Sequence, residues 1–241
     1  SKQKIIENFK NLEAAFKGVD HLICFAVKAN SNLAILNILA KNGAGFDIVS
    51  GGELKRVVAA KGDVEKIVFS GVGKTSEEIK LAIEKNILAF NVESEDELSR
   101  IQEIANSLNK KASISIRVNP NVDAKTHPYI STGLKENKFG VSEESAFDLY
   151  KKAKLLDSIE IEGIDCHIGS QITDLKPFED SIKKLIKLVD RLEEEGINIR
   201  HIDIGGGIGI RYDDEKTIDF NEYAKIISSQ IKERKIKILM E

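Results

Sequence analysis

Short apolar runs alternate with amphipathic stretches along nearly the whole chain. The runs fall at residues 21–29, 45–49, 66–70, 87–92, 112–119, 159–168, 199–204 and 235–240; they are rich in Ile, Val and Phe and predict strands. Between them, apolar residues recur at three- and four-residue spacing. This predicts helices over 32–42, 51–61, 76–85, 95–109, 143–156, 176–195 and 219–233. An opening helix over about 3–17 lines up Ile5, Ile6, Phe9, Leu12, Ala15 and Phe16 on one stripe. Ser50 with Glu53, Thr75 with Glu78 and Ser94 with Glu97 set a hydroxyl three residues before a glutamate, the pattern of a capping box. Gly43, Gly62 and Gly196 stand just past helix ends, where a left-handed residue is favoured. Strict alternation predicts parallel strands with right-handed crossovers. Eight such units predict an α/β fold of the closed (β/α)8 TIM-barrel kind, with an open doubly wound sheet as the alternative.

Side chains alternate faces along a strand, so the apolar set Phe25, Val27, Phe46, Ile48, Ile67, Phe69, Leu88, Phe90, Val92, Ile114, Ile116, Val118, Ile164, Cys166, Ile168, Ile202 and Ile204 is expected to face the helices. The opposite parity then faces the lumen, and near each strand end it is polar. It reads Lys28, Asp47, Ser70, Asn91 with Glu93, Arg117 with Asn119, Asp165 with His167, Asp203 and Glu241. Any one of these fits an ordinary strand end meeting solvent. A polar ring drawn from all the strands fits a small-molecule site at the C-terminal mouth of a barrel. Lys28 is the anomaly, an ammonium on a strand otherwise apolar on both faces.

Composition narrows the partners. The chain has 241 residues, a formal net charge of −3 and a pI near 5.9, which leaves no basic footprint for nucleic acid. No apolar run approaches membrane-spanning length and no signal peptide is evident, so a cytoplasmic protein with a small-molecule partner is expected. Cys24 and Cys166 lie in apolar strands without metal-ligand spacing, and they read as reduced core thiols with no metal. Three prolines and no low-complexity stretch argue for one domain over 1–241.

The run Gly205-Gly206-Gly207-Ile208-Gly209 follows the seventh strand, where barrels favour a phosphate site, and successive glycines let backbone N–H groups approach an anion. It is not the GxGxxG of a dinucleotide fold. Ser170 adds a hydroxyl beside this turn and His167 an imidazole. A lumen lysine, a phosphate cup, an imidazole and a last-strand acid together suggest pyridoxal 5'-phosphate (PLP) as cofactor.

Four segments carry a family resemblance: Ala26-Val27-Lys28-Ala29-Asn30, Phe46-Asp47-Ile48-Val49-Ser50-Gly51-Gly52-Glu53, His167-Ile168-Gly169-Ser170-Gln171 and Asp203-Ile204-Gly205-Gly206-Gly207. They resemble the alanine-racemase-type barrel of the PLP-dependent group IV decarboxylases. Asn119-Pro120-Asn121-Val122, the stretch from Thr126 to Gly133, and Lys138-Phe139-Gly140 resemble the diaminopimelate branch of that group. The resemblance implies Lys28 as the Schiff-base lysine, His167 stacked on the cofactor ring, and Ser170, Gly205, Gly206 and Gly207 on the phosphate. It implies Glu241 at the pyridine nitrogen and Asp47 and Arg117 near the lysine and ring. Glu53 matches a further family position, in competition with its role as a cap.

The same resemblance implies a homodimer, an amino-acid substrate and a β-rich C-terminal domain that is absent from this chain. With that domain go a proton-donating cysteine, a tyrosine and the grip on the substrate's far end, so the barrel alone is expected to be poorly active. Rival readings within the fold are an arginine, ornithine or carboxynorspermidine decarboxylase and an amino-acid racemase. A non-catalytic PLP-binding regulatory protein is the rival from another class.

Overall fold

A computed structural model describes residues 1–123, 139–212 and 217–241. The stretch from Thr126 to Gly133, and Lys138, therefore lie outside the described residues. The strands are β1 (His21–Ala26), β2 (Gly45–Ile48), β3 (Ile67–Phe69), β4 (Ala89–Val92), β5 (Ala112–Asn119), β6 (Val141–Ser142), β7 (Ile159–Asp165), β8 (His201–Asp203) and β9 (Lys237–Met240). The helices are α1 (Lys2–Ala15), α2 (Leu33–Lys41), α3 (Gly51–Ala59), α4 (Ser76–Lys85), α5 (Glu95–Ser107), α6 (Glu143–Ala153), α7 (Lys176–Glu194) and α8 (Phe220–Ile231). All recorded pairings are parallel, in the order β4-β3-β2-β1-β9-β8-β7-β5, and β4 also pairs with β5. The sheet closes on itself, which decides against the open sheet. His21 opposite Ile238 and Ile23 opposite Met240 join the first strand to the last. The two-residue β6, not foreseen in the sequence, adds to the end of β5 at Val118 and Asn119.

The main core lies between barrel and helices. Val27, Phe46, Ile48, Ile67, Phe69, Phe90, Ile114, Ile116, Ile164, Cys166, Ile168 and Ile202 are buried against the apolar stripes of the helices. Each fully buried aliphatic or aromatic side chain contributes roughly 1.5–3 kcal/mol. A smaller cluster of Cys24, Val68 and Leu239 packs with Leu22 and Leu88. Leu88 thus departs from the expected outward set: it precedes β4, so strand alternation does not bind it. Among the described residues no helix is long and apolar enough to cross a membrane.

The helix entries depart from expectation in one detail. Thr75 and Glu78 make both bonds of a capping box. Ser50 and Ser94 also accept from the glutamate amides, but Glu53 and Glu97 reach back one residue further, to the N–H groups of Val49 and Glu93. Ser50 and Ser94 are extended at φ −159°, against −79° at Thr75, which turns the preceding residue's N–H toward the glutamate. After α3, Lys61 takes the left-handed conformation expected of Gly62. Gly62 is needed for a different reason, because a Cβ there would stand 2.5 Å from Val57 Cγ1 and 2.9 Å from Phe46.

Candidate active site

Strand β1 ends earlier than the sequence predicts. Its pairing with β2 stops at Ala26 opposite Asp47, and Val27–Ala29 close a single 3-10 turn through Asn30 N–H to Val27 O. Lys28 is carried by that turn and not by the strand. Its side chain is 54% exposed, so the expected buried ammonium is instead a partly open one. Its Nζ lies 3.2 Å from Asp47 Oδ2, and Asp47 is buried on β2. Desolvation works against the ammonium, but the Asp47 and Glu241 carboxylates outweigh it and hold the Lys28 pKa above its ordinary value.

Across the mouth, Glu241 extends the last strand: its N–H donates to Gly205 O at 3.0 Å. Ser70 Oγ donates to Glu241 Oε1 at 3.4 Å, and Asn91 Nδ2 donates to Ser70 Oγ. Oxygens of Asp165, Asp203 and Glu241 lie within 4.8 Å of one another. Burial first, then the neighbouring Asp47, Asp203 and Asp165, push the Glu241 carboxyl well above the carboxylate range, against the pull of Lys28. Asp203 is raised to about 7 by burial above all. Among the described residues, Asp47 Oδ1, Asn91 Oδ1, Asp165 Oδ1 and Asp203 Oδ2 are buried without a hydrogen-bond partner.

The glycine turn is pressed between its neighbours. A Cβ on Gly205 would stand 2.6 Å from Cys166 O, on Gly206 2.4 Å from Glu241 O, and on Gly207 2.0 Å from Gly169 O. Gly205 and Gly207 have φ of +65° and +91°, a conformation glycine adopts without a Cβ penalty. The loop holding Ser170 is zipped to this turn by Ile172 N–H to Gly207 O and Gly209 N–H to Ile172 O. Two further amides of the turn have protein acceptors: Gly205 N–H donates to Asp203 Oδ1 and Gly206 N–H to His167 Nδ1. His167 Nδ1 is therefore unprotonated. Burial, then Arg117 and Lys28, lower the imidazole to about 3, so its 3.8 Å approach to Glu241 is not a charge pair.

The family model described as pyridoxal-dependent decarboxylase, pyridoxal binding domain, matches residues 2–241. The chain belongs to the pyridoxal-dependent decarboxylases. The diaminopimelate decarboxylase of Pseudomonas fluorescens is 54% identical over 242 residues, covering all of this chain and 58% of that protein. That of Vibrio cholerae is 55% identical over 222 residues, covering 92% of this chain and 53% of the relative. A crystal structure of diaminopimelate decarboxylase from Helicobacter pylori complexed with L-lysine superposes with a TM-score of 0.98 at 48% identity, covering all of this chain and 61% of that one. The chain thus spans little more than half the length of the curated relatives it matches.

For a pyridoxal-dependent decarboxylase the residues present fit the cofactor chemistry. An amine for an aldehyde, a surplus of buried carboxylate for a cationic ring, and a Cβ-free turn for a phosphate lie around one mouth. The structure brings Lys28, Asp47, Arg117, His167, Ser170, Gly205, Gly206, Gly207 and Glu241 to this end of the barrel, from strands far apart in sequence. Glu53 caps the Val49 N–H and lies within electrostatic reach of Asp47 and Lys28. Asp203, to which the resemblance assigns no role, stands within the carboxylate cluster. Its inward parity was the available signal. Glu93 was seen in the ring without a partner. It accepts from Arg117 Nη1 at 2.9 Å, and Arg117 also lies 3.9 Å from Asp165 and against the Phe139 ring.

Proposed function

We propose that this barrel is the cofactor-binding part of a diaminopimelate decarboxylase, which converts meso-2,6-diaminopimelate to L-lysine and CO2. The observation that carries the reading is the convergence of the Lys28 amine, the Glu241 carboxylate and the Gly205–Gly207 turn on one mouth, in a chain about half identical to diaminopimelate decarboxylases along its whole length. Identity favours this branch over its rivals. It is 42% to the diaminopimelate decarboxylase structure from M. jannaschii but 23% to a lysine decarboxylase and 20% to a lysine/ornithine decarboxylase, where the likeness speaks for the fold alone.

In this reading Lys28 is the covalent anchor for PLP, and Asp47 holds its ammonium in the mouth until the proton is given up. Glu241 pairs with the ring nitrogen: a cation arriving among Glu241, Asp165 and Asp203 relieves their mutual repulsion and restores the carboxylate form. Gly207 and the Ser170 hydroxyl supply donors to the phosphate, since Gly205 and Gly206 already serve Asp203 and His167. His167, neutral and held by Gly206, offers a flat face to the ring. When bound, PLP supplies the electron sink for the pair left behind as the substrate's carboxylate departs as CO2. A proton must then reach the same carbon. We assign its donor, and the contacts to the substrate's far end, to the part of the relatives beyond this match, in a cytoplasmic homodimer with a β-rich second domain.

The test has two arms. Borohydride reduction of the PLP-loaded protein and peptide mapping should put the cofactor mass on Lys28, and a mass on a surface residue such as Lys61 would sink the assignment. The full-length protein should release CO2 from diaminopimelate far faster than from arginine or ornithine. Equal or reversed rates would overturn the substrate.

A further inference from the structure

Lys74 lies in the loop between β3 and α4, yet its side chain is 1% exposed. All three ammonium protons are used: Nζ donates to Gly71 O at 2.8 Å, Asn91 O at 2.9 Å and Glu97 Oε1 at 2.6 Å. It also stands 5.6 Å from the centre of the Phe69 ring. The other oxygen of Glu97 accepts the Glu93 N–H at 3.0 Å. Glu93 in turn takes Arg117 Nη1 and Gly71 N–H on Oε1, and Gly140 N–H on Oε2. The bonds close a circuit: Lys74 to Glu97, Glu97 to Glu93, Glu93 to Gly71, and Gly71 back to Lys74. Arg117 hangs from that circuit, and its charge reaches Lys28, His167 and Asp165.

A second helix start in the same barrel shows what the lysine adds. At α3, Ser50, Glu53 and the Val49 N–H repeat the geometry of Ser94, Glu97 and the Glu93 N–H. There the glutamate is part-exposed and within electrostatic reach of Lys28, but among the described residues it forms no ion pair with a lysine, and the residue it caps is Val49, an exposed apolar residue. At α5 the same cap is buried, locked by an ammonium, and attached to a residue whose side chain holds Arg117. A buried ion pair is poor evidence for stability, because desolvation offsets most of its attraction. Capping alone needs only Ser94 and the glutamate.

We propose that Lys74 and Glu97 are positioning residues for the cofactor site: they fix the Glu93 backbone, and through it the Arg117 guanidinium that borders the place of PLP. The inference rests on the reading of this mouth as the PLP site. Glu97 is the active link and Lys74 sets which way its carboxylate points. Without the Glu97 acceptor, Glu93 N–H is unpaired, the strand end loosens, and Arg117 no longer meets the cofactor in one orientation.

Two double variants of the full-length protein separate positioning from mere packing. Lys74→Met alone strands a buried carboxylate and is expected to fold poorly. Lys74→Met with Glu97→Gln removes both charges but keeps a carbonyl acceptor for the Glu93 N–H. Lys74→Met with Glu97→Met removes the charges and the acceptor. Thermal melting should show both double variants folded, the Met variant melting lower by the loss of one buried hydrogen bond. PLP affinity, followed by the visible absorbance of the bound cofactor, should stay near wild type in the Gln variant. In the Met variant it should weaken by about tenfold, the effect of one net hydrogen bond, with a shifted absorbance maximum. Wild-type affinity in the Met variant, or equal weakening in both, overturns the proposal. If wild-type protein itself fails to bind PLP, the reading of the site fails instead.

Discussion

The two ends of the barrel lumen are built from the same strands and follow opposite rules. In the N-terminal half, Cys24, Val68, Leu239, Leu22 and Leu88 pack together, and the polar pair there is complete: Ser115 Oγ and His201 Nε2 share a 2.8 Å hydrogen bond. Gly163 faces His201 so closely that a Cβ would stand 2.1 Å from its Nε2. At the C-terminal mouth, oxygens of Asp47, Asn91, Asp165 and Asp203 are buried without recorded partners, and burial drives the carboxyls of Asp165, Asp203 and Glu241 upward. Buried acceptors are normally satisfied. A set that is not, in a lumen whose other half is, marks where the protein gives up stability for a ligand.

The comparison breaks most directly at Glu241. Glu241→Gln in the full-length protein keeps size and shape but removes the charge proposed for the ring nitrogen. Turnover should fall by roughly 10²–10³-fold, the usual effect of deleting one preorganised electrostatic partner. PLP affinity should change far less. Unchanged turnover would make the mouth acids a structural feature like the pair below them.

The next effect belongs to the satisfied half. Gly163→Ala drives a methyl group into the His201 ring, and overpacking of this kind costs about 1–3 kcal/mol. Urea unfolding should show that loss, and His201→Ala in the same chain should recover part of it by opening space. An unchanged midpoint would mean that the lower lumen is loosely packed, and the contrast between the two halves would lose its basis.

What could be read in the sequence follows from what depends on local period alone. The strand and helix succession, the apolar outer faces of β5 and β7, and the inward polar parity at Asp47, Asn91, Arg117, Asp165 and Asp203 all survive because alternation is a one-strand property. Lys28 escaped because its strand outruns its neighbours: past Ala26 the backbone closes its own turn, and parity stops applying. Partners escaped because they are set by register between distant strands. Nothing near Gly163 announces His201, and nothing near Lys74 announces Glu97. A lysine between a glycine and a threonine in a loop reads as solvated until the barrel closes around it.

A change of pH sets the two halves against each other. His201 is lowered to about 4, by burial first and then by Lys237, from an ordinary value near 6.5. Between those values the unfolded chain holds a proton that the folded one refuses, so His201 makes the fold less stable as pH falls. Asp203 is raised to about 7 from an ordinary value near 3.9. Over that interval the folded chain holds the proton and the unfolded one has lost it, so Asp203 makes the fold more stable as pH falls. Each group can contribute up to about 1.4 kcal/mol per pH unit inside its window. Urea midpoints at pH 7.5 and 5 should therefore diverge by variant. Relative to wild type, His201→Gln, which can keep a bond to Ser115, should gain stability on acidification, and Asp203→Asn should lose it. Profiles parallel to wild type would mean that neither end's charge state is tied to folding, and the opposition between a satisfied and an unsatisfied lumen would not extend to its electrostatics.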